Sequence, residues 1–250
     1  GRKLTSIEVH DVMCHIGECV VVGGVRRTSL ISLSNHSDER MRHAKMGNWF
    51  AENPQRSLSN NSICYTEKPD MGAFMREWLA IYESRSGERG IFNRQACKNM
   101  LPERRDSDHE FGCNPCSEIV LRPGQFCNLT EVVALPSDDM ESLTDKVRFA
   151  TILGTLQSCL TDFKFLRKGW TDNCEEERLL GVSITGIYDC PALRVSSAQD
   201  LNDLREWAII TNERWAKTLE INPSTSITCV KPSGTVSQLC NSASGIHPRW

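Results

Sequence analysis

Apolar residues recur at helical spacing along several stretches of the chain. From Thr5 onward, Ile7, Val9, Val12, Met13 and Ile16 fall on one helical face. Met71, Phe74, Met75, Trp78, Leu79 and Tyr82 follow the i, i+3, i+4, i+7, i+8, i+11 pattern of a strongly amphipathic helix. Longer helical runs are predicted from Ser142 to Leu166 and from Ser196 to Leu219. Short extended runs are predicted at Val20 to Val22 and Ser29 to Leu33, split by Gly23-Gly24, and again at Gly181 to Ile184 and Ser226 to Val230. Strands alternating with helices predict an α/β architecture with parallel strands, in which strand ends and loops carry function. No internal repeat, low-complexity tract or linker breaks the pattern, so residues 1–250 read as one continuous domain.

Charge narrows the classes of function. With 29 Lys+Arg against 32 Asp+Glu the net charge is −3, which offers no broad basic face for a nucleic-acid backbone. The most apolar stretch, Cys19 to Val25, is interrupted by two glycines and is far shorter than the roughly 20 residues of a membrane span. The 12 cysteines in 250 residues are below the density of a disulfide scaffold, and a chain of this length can bury a core without staples. A reducing cytoplasm with free thiols is therefore expected. Cys14, Cys159 and Cys190 sit in helix-like or apolar contexts and read as small hydrophobes. The chain begins at Gly1 and is expected to be a segment of a longer protein.

Chemistry concentrates in two places. The first is Cys113-Asn114-Pro115-Cys116-Ser117-Glu118-Ile119, with Phe126-Cys127-Asn128-Leu129 beyond it. Pro115 biases Asn114 away from helix, and Arg122-Pro123-Gly124 marks a turn, so a loop running into a short hairpin is expected. If the segment is extended, Asn114, Cys116 and Glu118 project to one side at period two and present an amide, a thiol and a carboxylate together. Three other readings stay open on the residues alone. His109, Cys113, Cys116 and Cys127 could form a zinc site, Cys113 and Cys116 a redox pair, or the thiols could be inert. The second place is Lys231-Pro232-Ser233-Gly234-Thr235, after a predicted strand and before a predicted helix. It can be an anion-binding turn or an ordinary strand-to-helix connection, and it lacks Walker spacing.

Taken together, these stretches resemble one family. Asn114-Pro115-Cys116-Ser117-Glu118-Ile119, followed after ten residues by Cys127-Asn128-Leu129, resembles the active-site region of the adenosylcobalamin-dependent (class II) ribonucleotide reductases. Gly23-Gly24-Val25-Arg26-Arg27, Ser59-Asn60-Asn61-Ser62, Ser86-Gly87-Glu88-Arg89-Gly90-Ile91, Gly181-Val182-Ser183-Ile184-Thr185-Gly186 and Val230-Lys231-Pro232-Ser233-Gly234-Thr235-Val236 agree as well. The general look is similar to the ribonucleoside-triphosphate type.

The resemblance implies a ten-stranded α/β barrel of two antiparallel halves, each with five parallel strands, and a central finger loop carrying Cys116. This chain would be a partial catalytic barrel, inactive alone. The cofactor would be adenosylcobalamin, and Cys116 would become a transient thiyl radical that takes the 3′ hydrogen of a ribonucleotide. The resemblance makes Glu118 a general base on the 3′ hydroxyl, with a pKa raised by burial, while Asn114 holds the ribose hydroxyls. Cys127 would be half of a redox-active dithiol whose partner lies before Gly1, re-reduced by a thioredoxin-like dithiol. Substrate contacts would come from Asn114, Pro115, Cys116, Ser117, Glu118, Leu129 and the Pro232, Ser233, Gly234, Thr235 loop. Arg26 and Arg27 are left out of the site. Ser117 stands where the family would have glycine, a change tolerated if its φ is negative. Two rivals are a zinc-stabilised binding module and an unrelated thiol oxidoreductase.

Overall fold

The computed structural model describes residues 1–22, 25, 26 and 28–249, the side chains of residues 22, 25 and 26 excepted. The Gly23-Gly24-Val25-Arg26-Arg27 motif thus lies largely outside the described residues. The chain divides into two compact units, Gly1–Met100 with Glu110–Val120, and Leu101–His109 with Leu121–Trp250. Both are α/β with parallel strands, as the alternating pattern predicts. Among the described residues no helix is long and apolar enough to cross a membrane.

The first unit opens with helix α1 (Ser6–Glu18), started by a Thr5–Glu8 capping box. The two-residue strands β1 (Val21–Val22) and β2 (Val25–Arg26) follow and pair antiparallel. Then come β3 (Leu30–Ser34), the short helices α2 (Glu39–Arg42) and α3 (Trp49–Glu52), β4 (Ser59–Tyr65), α4 (Met71–Ser84), β5 (Gly90–Asn93) and α5 (Arg94–Asn99). β4 lies between β3 and β5, parallel to both, with Leu30 opposite Ser59 and Ser62 opposite Gly90. The short strands β6 (Gly112–Cys113) and β7 (Val120–Leu121) form a separate ladder.

The helices form where the pattern predicts, but two of them bury the other face. On α4, Met71 is 74% and Tyr82 80% exposed, while Ala73, Glu77 and Ala80 are buried. On α1, Val9, Val12, Met13 and Ile16 are exposed, and His10, Cys14 and Gly17 are buried. The reason is a polar interior that selects small and hydrogen-bonding residues. The Glu77 carboxylate takes Arg89 Nε at 2.5 Å and Arg42 Nε at 2.9 Å. His10 Nε2 lies 3.0 Å from Asn61 Oδ1, and Lys45 Nζ lies 2.8 Å from Glu88. A Cβ on Gly17 would come within 2.2 Å of the Leu58 Cδ2 methyl, so any larger residue there would have to displace the Leu58 side chain.

The second unit holds β8 (Asn128–Val133), α6 (Met140–Gln157), α7 (Lys168–Glu177), β9 (Leu180–Thr185), α8 (Pro191–Arg194), α9 (Ala198–Leu219) and α10 (Thr235–Leu239). β8 and β9 run parallel, with Asn128 opposite Leu180 and Val133 opposite Thr185. The predicted strand at Ser226 to Val230 is reduced to one parallel bridge, Thr228 to Val182. Val132, Leu143, Val147, Leu180, Val182, Leu204, Ala208 and Ile227 form an apolar core between strands and helices. Buried Asn212 ties α9 to α6, donating to Thr155 Oγ1 at 2.9 Å. The helix predicted from Ser142 to Leu166 ends at Gln157 with Ser158 as its C-cap. Cys159 therefore lies past the helix and is exposed, contrary to its reading as a buried hydrophobe, whereas Cys14 and Cys190 are buried.

Candidate functional site

In the first unit, Asn114 to Ile119 form a closed loop between β6 and β7. Asn114 is the clasp. Its backbone N–H donates to Ile119 O at 3.2 Å, its carbonyl accepts from Ser117 N at 2.9 Å, and its side-chain Oδ1 accepts from Ile119 N at 3.0 Å. The period-two arrangement of Asn114, Cys116 and Glu118 is therefore not adopted, because Pro115 and Cys116 form a turn. Proline's fixed φ and the asparagine side chain together close the chain back on itself. The strands flank the loop, where a hairpin beyond it was expected.

Cys116 sits at the turn with its residue exposed. Glu118 is half-buried, and its Oε2 is withdrawn from solvent. Ser117 lies at φ 64°, so the condition of a negative φ is not met: the backbone takes the left-handed conformation that glycine adopts without steric strain. The Ser117 hydroxyl lies 3.4 Å from Cys113 Sγ. Burial pushes the Cys113 thiol above its usual pKa, the Ser117 hydroxyl opposes that shift, and Cys97 and Cys64 add to it. From β4, Asn60 Nδ2 donates to the Pro115 carbonyl at 2.6 Å.

In the second unit, Cys127 is half-buried immediately before β8, and Leu129 lies on β8 opposite Gly181. Cys127 lines a cavity of about 690 Å³ together with Phe126, Leu160, Phe163, Phe165 and Cys174. Burial raises the Cys174 thiol, although Phe126 N donates to its Sγ at 3.3 Å.

The Pro232-Ser233-Gly234-Thr235 turn leads directly into α10, with Pro232, Gly234 and Thr235 exposed and Ser233 half-buried. Ser233 Oγ accepts from Ser237 N at 3.1 Å, and Ser233 O accepts from Ser244 Oγ at 2.5 Å. Pattern reading alone does not find what holds this turn. Thr185 Oγ1, at the end of β9, donates to Ala243 O at 3.0 Å and accepts from Gly245 N at 2.6 Å. Asp189 Oδ2 accepts from Ala243 N at 2.6 Å and pairs with Arg249. A Cβ on Gly245 would lie 2.6 Å from Lys231 O, and one on Gly186 2.5 Å from Ala134 O, both at positive φ. The Ser242-Ala243-Ser244-Gly245 run of small residues was the available signal for this close approach.

Asn114, Pro115, Cys116, Ser117 and Glu118 thus come together in one loop of the first unit. Cys127, Leu129 and the Ser233 turn belong to the second. Among the described residues no group of three or more His, Cys, Asp or Glu side chains is placed to hold a metal ion, so the zinc reading of His109, Cys113, Cys116 and Cys127 finds no ligand set.

No family model matches the chain. It is 27% identical over 288 aligned positions to the adenosylcobalamin-dependent ribonucleoside-triphosphate reductase of Lactobacillus acidophilus, covering 99% of this chain and 37% of that protein. The reductase of the same name from Lactobacillus leichmannii is 26% identical, with the same coverage. The chain therefore spans little more than a third of these relatives. Among solved structures, a B12-dependent (class II) ribonucleotide reductase matches 98% of the chain with TM-score 0.72 at 24% identity. The Actinobacillus ureae class Id ribonucleotide reductase alpha subunit matches 98% with TM-score 0.72 at 15% identity. These two likenesses are of fold.

Proposed function

We propose that this chain is the middle of the catalytic barrel of an adenosylcobalamin-dependent ribonucleotide reductase that converts ribonucleoside triphosphates to 2′-deoxyribonucleotides in a reducing cytoplasm. The carrying observation is the clasped turn that holds an exposed thiol, Cys116, two residues from a half-buried carboxylate, Glu118, in a chain similar along 99% of its length to reductases of that name. In the intact protein the two parallel sheets would belong to the ten-stranded barrel, with the Asn114–Ile119 loop as its finger.

The residues fit the cofactor in one respect: the thiol that must meet it is exposed at a turn tip. Adenosylcobalamin, when bound, supplies the radical-generating chemistry, and the protein supplies position and exclusion of water. Cys116 would give up its thiol hydrogen to the radical that the bound cofactor provides and would then take the 3′ hydrogen of the ribose. Glu118 accepts the 3′ hydroxyl proton, as a carboxylate held partly out of water can. Asn114 has its Oδ1 committed to Ile119 N, so it holds ribose hydroxyls through Nδ2. Cys127 supplies one reducing thiol as the 2′ hydroxyl departs as water, and a thioredoxin-like dithiol restores it. Since Ser233 Oγ is taken by Ser237 N, the phosphates meet the backbone N–H groups of Gly234 and Thr235 and the Thr235 hydroxyl, while Leu129 contacts substrate.

The test uses the full-length protein with adenosylcobalamin, a dithiol and ribonucleoside triphosphates. Deoxyribonucleotide should form, and Cys116→Ser should reduce it to background, because a serine O–H bond is too strong to relay the hydrogen. Product formation retained by that variant would overturn the reading.

A further inference from the structure

The Ser59-Asn60-Asn61-Ser62 run has no part in the function proposed above. On β4, Ser59 and Asn61 are buried in the polar interior of the first unit, so the pleat turns Asn60 to the opposite face. There it is exposed, and its Nδ2 donates to the carbonyl of Pro115 at 2.6 Å. That carbonyl shares its planar peptide unit with the nitrogen of Cys116. Among the described residues Asn114, Ser117 and Ile119 are bonded to one another, and Ser117 also to Cys113, and none of these bonds engages the Pro115–Cys116 peptide. A side chain from outside the loop therefore fixes a peptide plane that no hydrogen bond within the loop engages.

We propose that Asn60 is a positioning residue that orients the Pro115–Cys116 peptide and so aims the Cys116 thiol. The chemistry requires a neutral donor. Aspartate has the same shape but sets an acceptor against the carbonyl, and alanine leaves it to water. The bond is solvent-exposed, so its loss changes loop geometry more than global stability. The catalytic consequence rests on the reductase reading; the loop geometry does not, and the test keeps them apart.

In the full-length protein, Asn60→Asp and Asn60→Ala are compared with the parent by amide hydrogen exchange. The readout is the ratio of exchange at Ser117 and Ile119 to exchange along β4 at Ile63 and Cys64. That ratio should rise about fivefold or more as the loop opens locally, whereas a general loss of stability would move both sets alike and leave the ratio unchanged. With ribonucleotide substrate, kcat should fall about tenfold at constant KM, as expected for a misaimed reacting group. An unchanged exchange ratio overturns the proposal, and so does a raised ratio with undiminished kcat. If the parent reduces no ribonucleotide, the reductase reading falls while the exchange ratio still decides whether Asn60 orients the loop.

Discussion

Ser117 holds a backbone conformation that a side chain disfavours. At φ 64° its Cβ crowds the peptide, a strain of roughly 1–2 kcal/mol for a residue other than glycine. Ser117→Gly should therefore stabilise the first unit by about 1 kcal/mol, partly offset by the extra freedom glycine gives the unfolded chain, visible as a higher melting temperature. The same change removes the hydroxyl that lies against Cys113 Sγ. Because that hydroxyl opposes the upward push of burial on the Cys113 thiol, the pH midpoint for its alkylation should move further up. A midpoint that stays put would mean the contact does not reach the thiolate. The loop itself was only half legible in the sequence. Pro115 announced a loop, but whether residues 114, 116 and 118 face one side stayed open, because residue periodicity does not register a side chain such as Asn114 bonding to its own loop.

Helix α4 extends the lesson to a whole element. Its position is legible to within two residues, since Met71 to Tyr82 repeat at helical spacing and Asp70 caps the helix by accepting from Ala73 N at 3.0 Å. Which face packs is not legible, because the deciding partners, Arg42 and Arg89, are brought to Glu77 by other elements. Burial alone would raise the Glu77 pKa, but the hydrogen bonds from Arg89 and Arg42 outweigh it and hold the carboxylate below its usual range. Replacing Glu77 by glutamine leaves the Arg89 guanidinium buried without its counter-charge and Arg42 with only the exposed carboxylate of Glu39, and the cost should be about 3 kcal/mol, measured by urea unfolding at pH 7. A group with a lowered folded-state pKa contributes stability above its unfolded value of about 4.3 and loses it as pH falls toward the folded value. The parent should thus weaken steadily below about pH 4.5, and Glu77→Gln should show a shallower acid slope. An equal slope would place the acid sensitivity on other carboxylates.

At the scale of the whole chain, the twelve cysteines divide into buried, half-buried and exposed groups. Cysteine density and chain length argued for free thiols, and all twelve are free; which of them are accessible depends on where helices end and strands turn, as Cys159 beyond α6 illustrates. The candidate site follows the same division. The residues of one contiguous loop could be read together from sequence, whereas the props of the Ser233 turn, Thr185, Asp189 and Ser244, are separated from it by 11 to 48 positions and left no periodic trace. Burial, full or partial, has a measurable consequence. Burial raises the thiol pKa of Cys14, Cys64, Cys97, Cys113 and Cys174. A group whose folded-state pKa is raised gives stability that is fully present below its unfolded value, about 8.5 for a thiol, and that is lost as pH climbs through the folded value. Under reducing conditions the urea midpoint should therefore hold steady through neutrality and decline from about pH 8.5 to 10. Over that range exposed Cys19, Cys116, Cys159 and Cys240 should be alkylated by iodoacetamide well before buried Cys14, Cys64 and Cys174, which become reactive only as the protein opens. A midpoint flat to pH 10, with Cys14 and Cys174 labelled as fast as Cys240, would show that these thiols are not shielded by the fold.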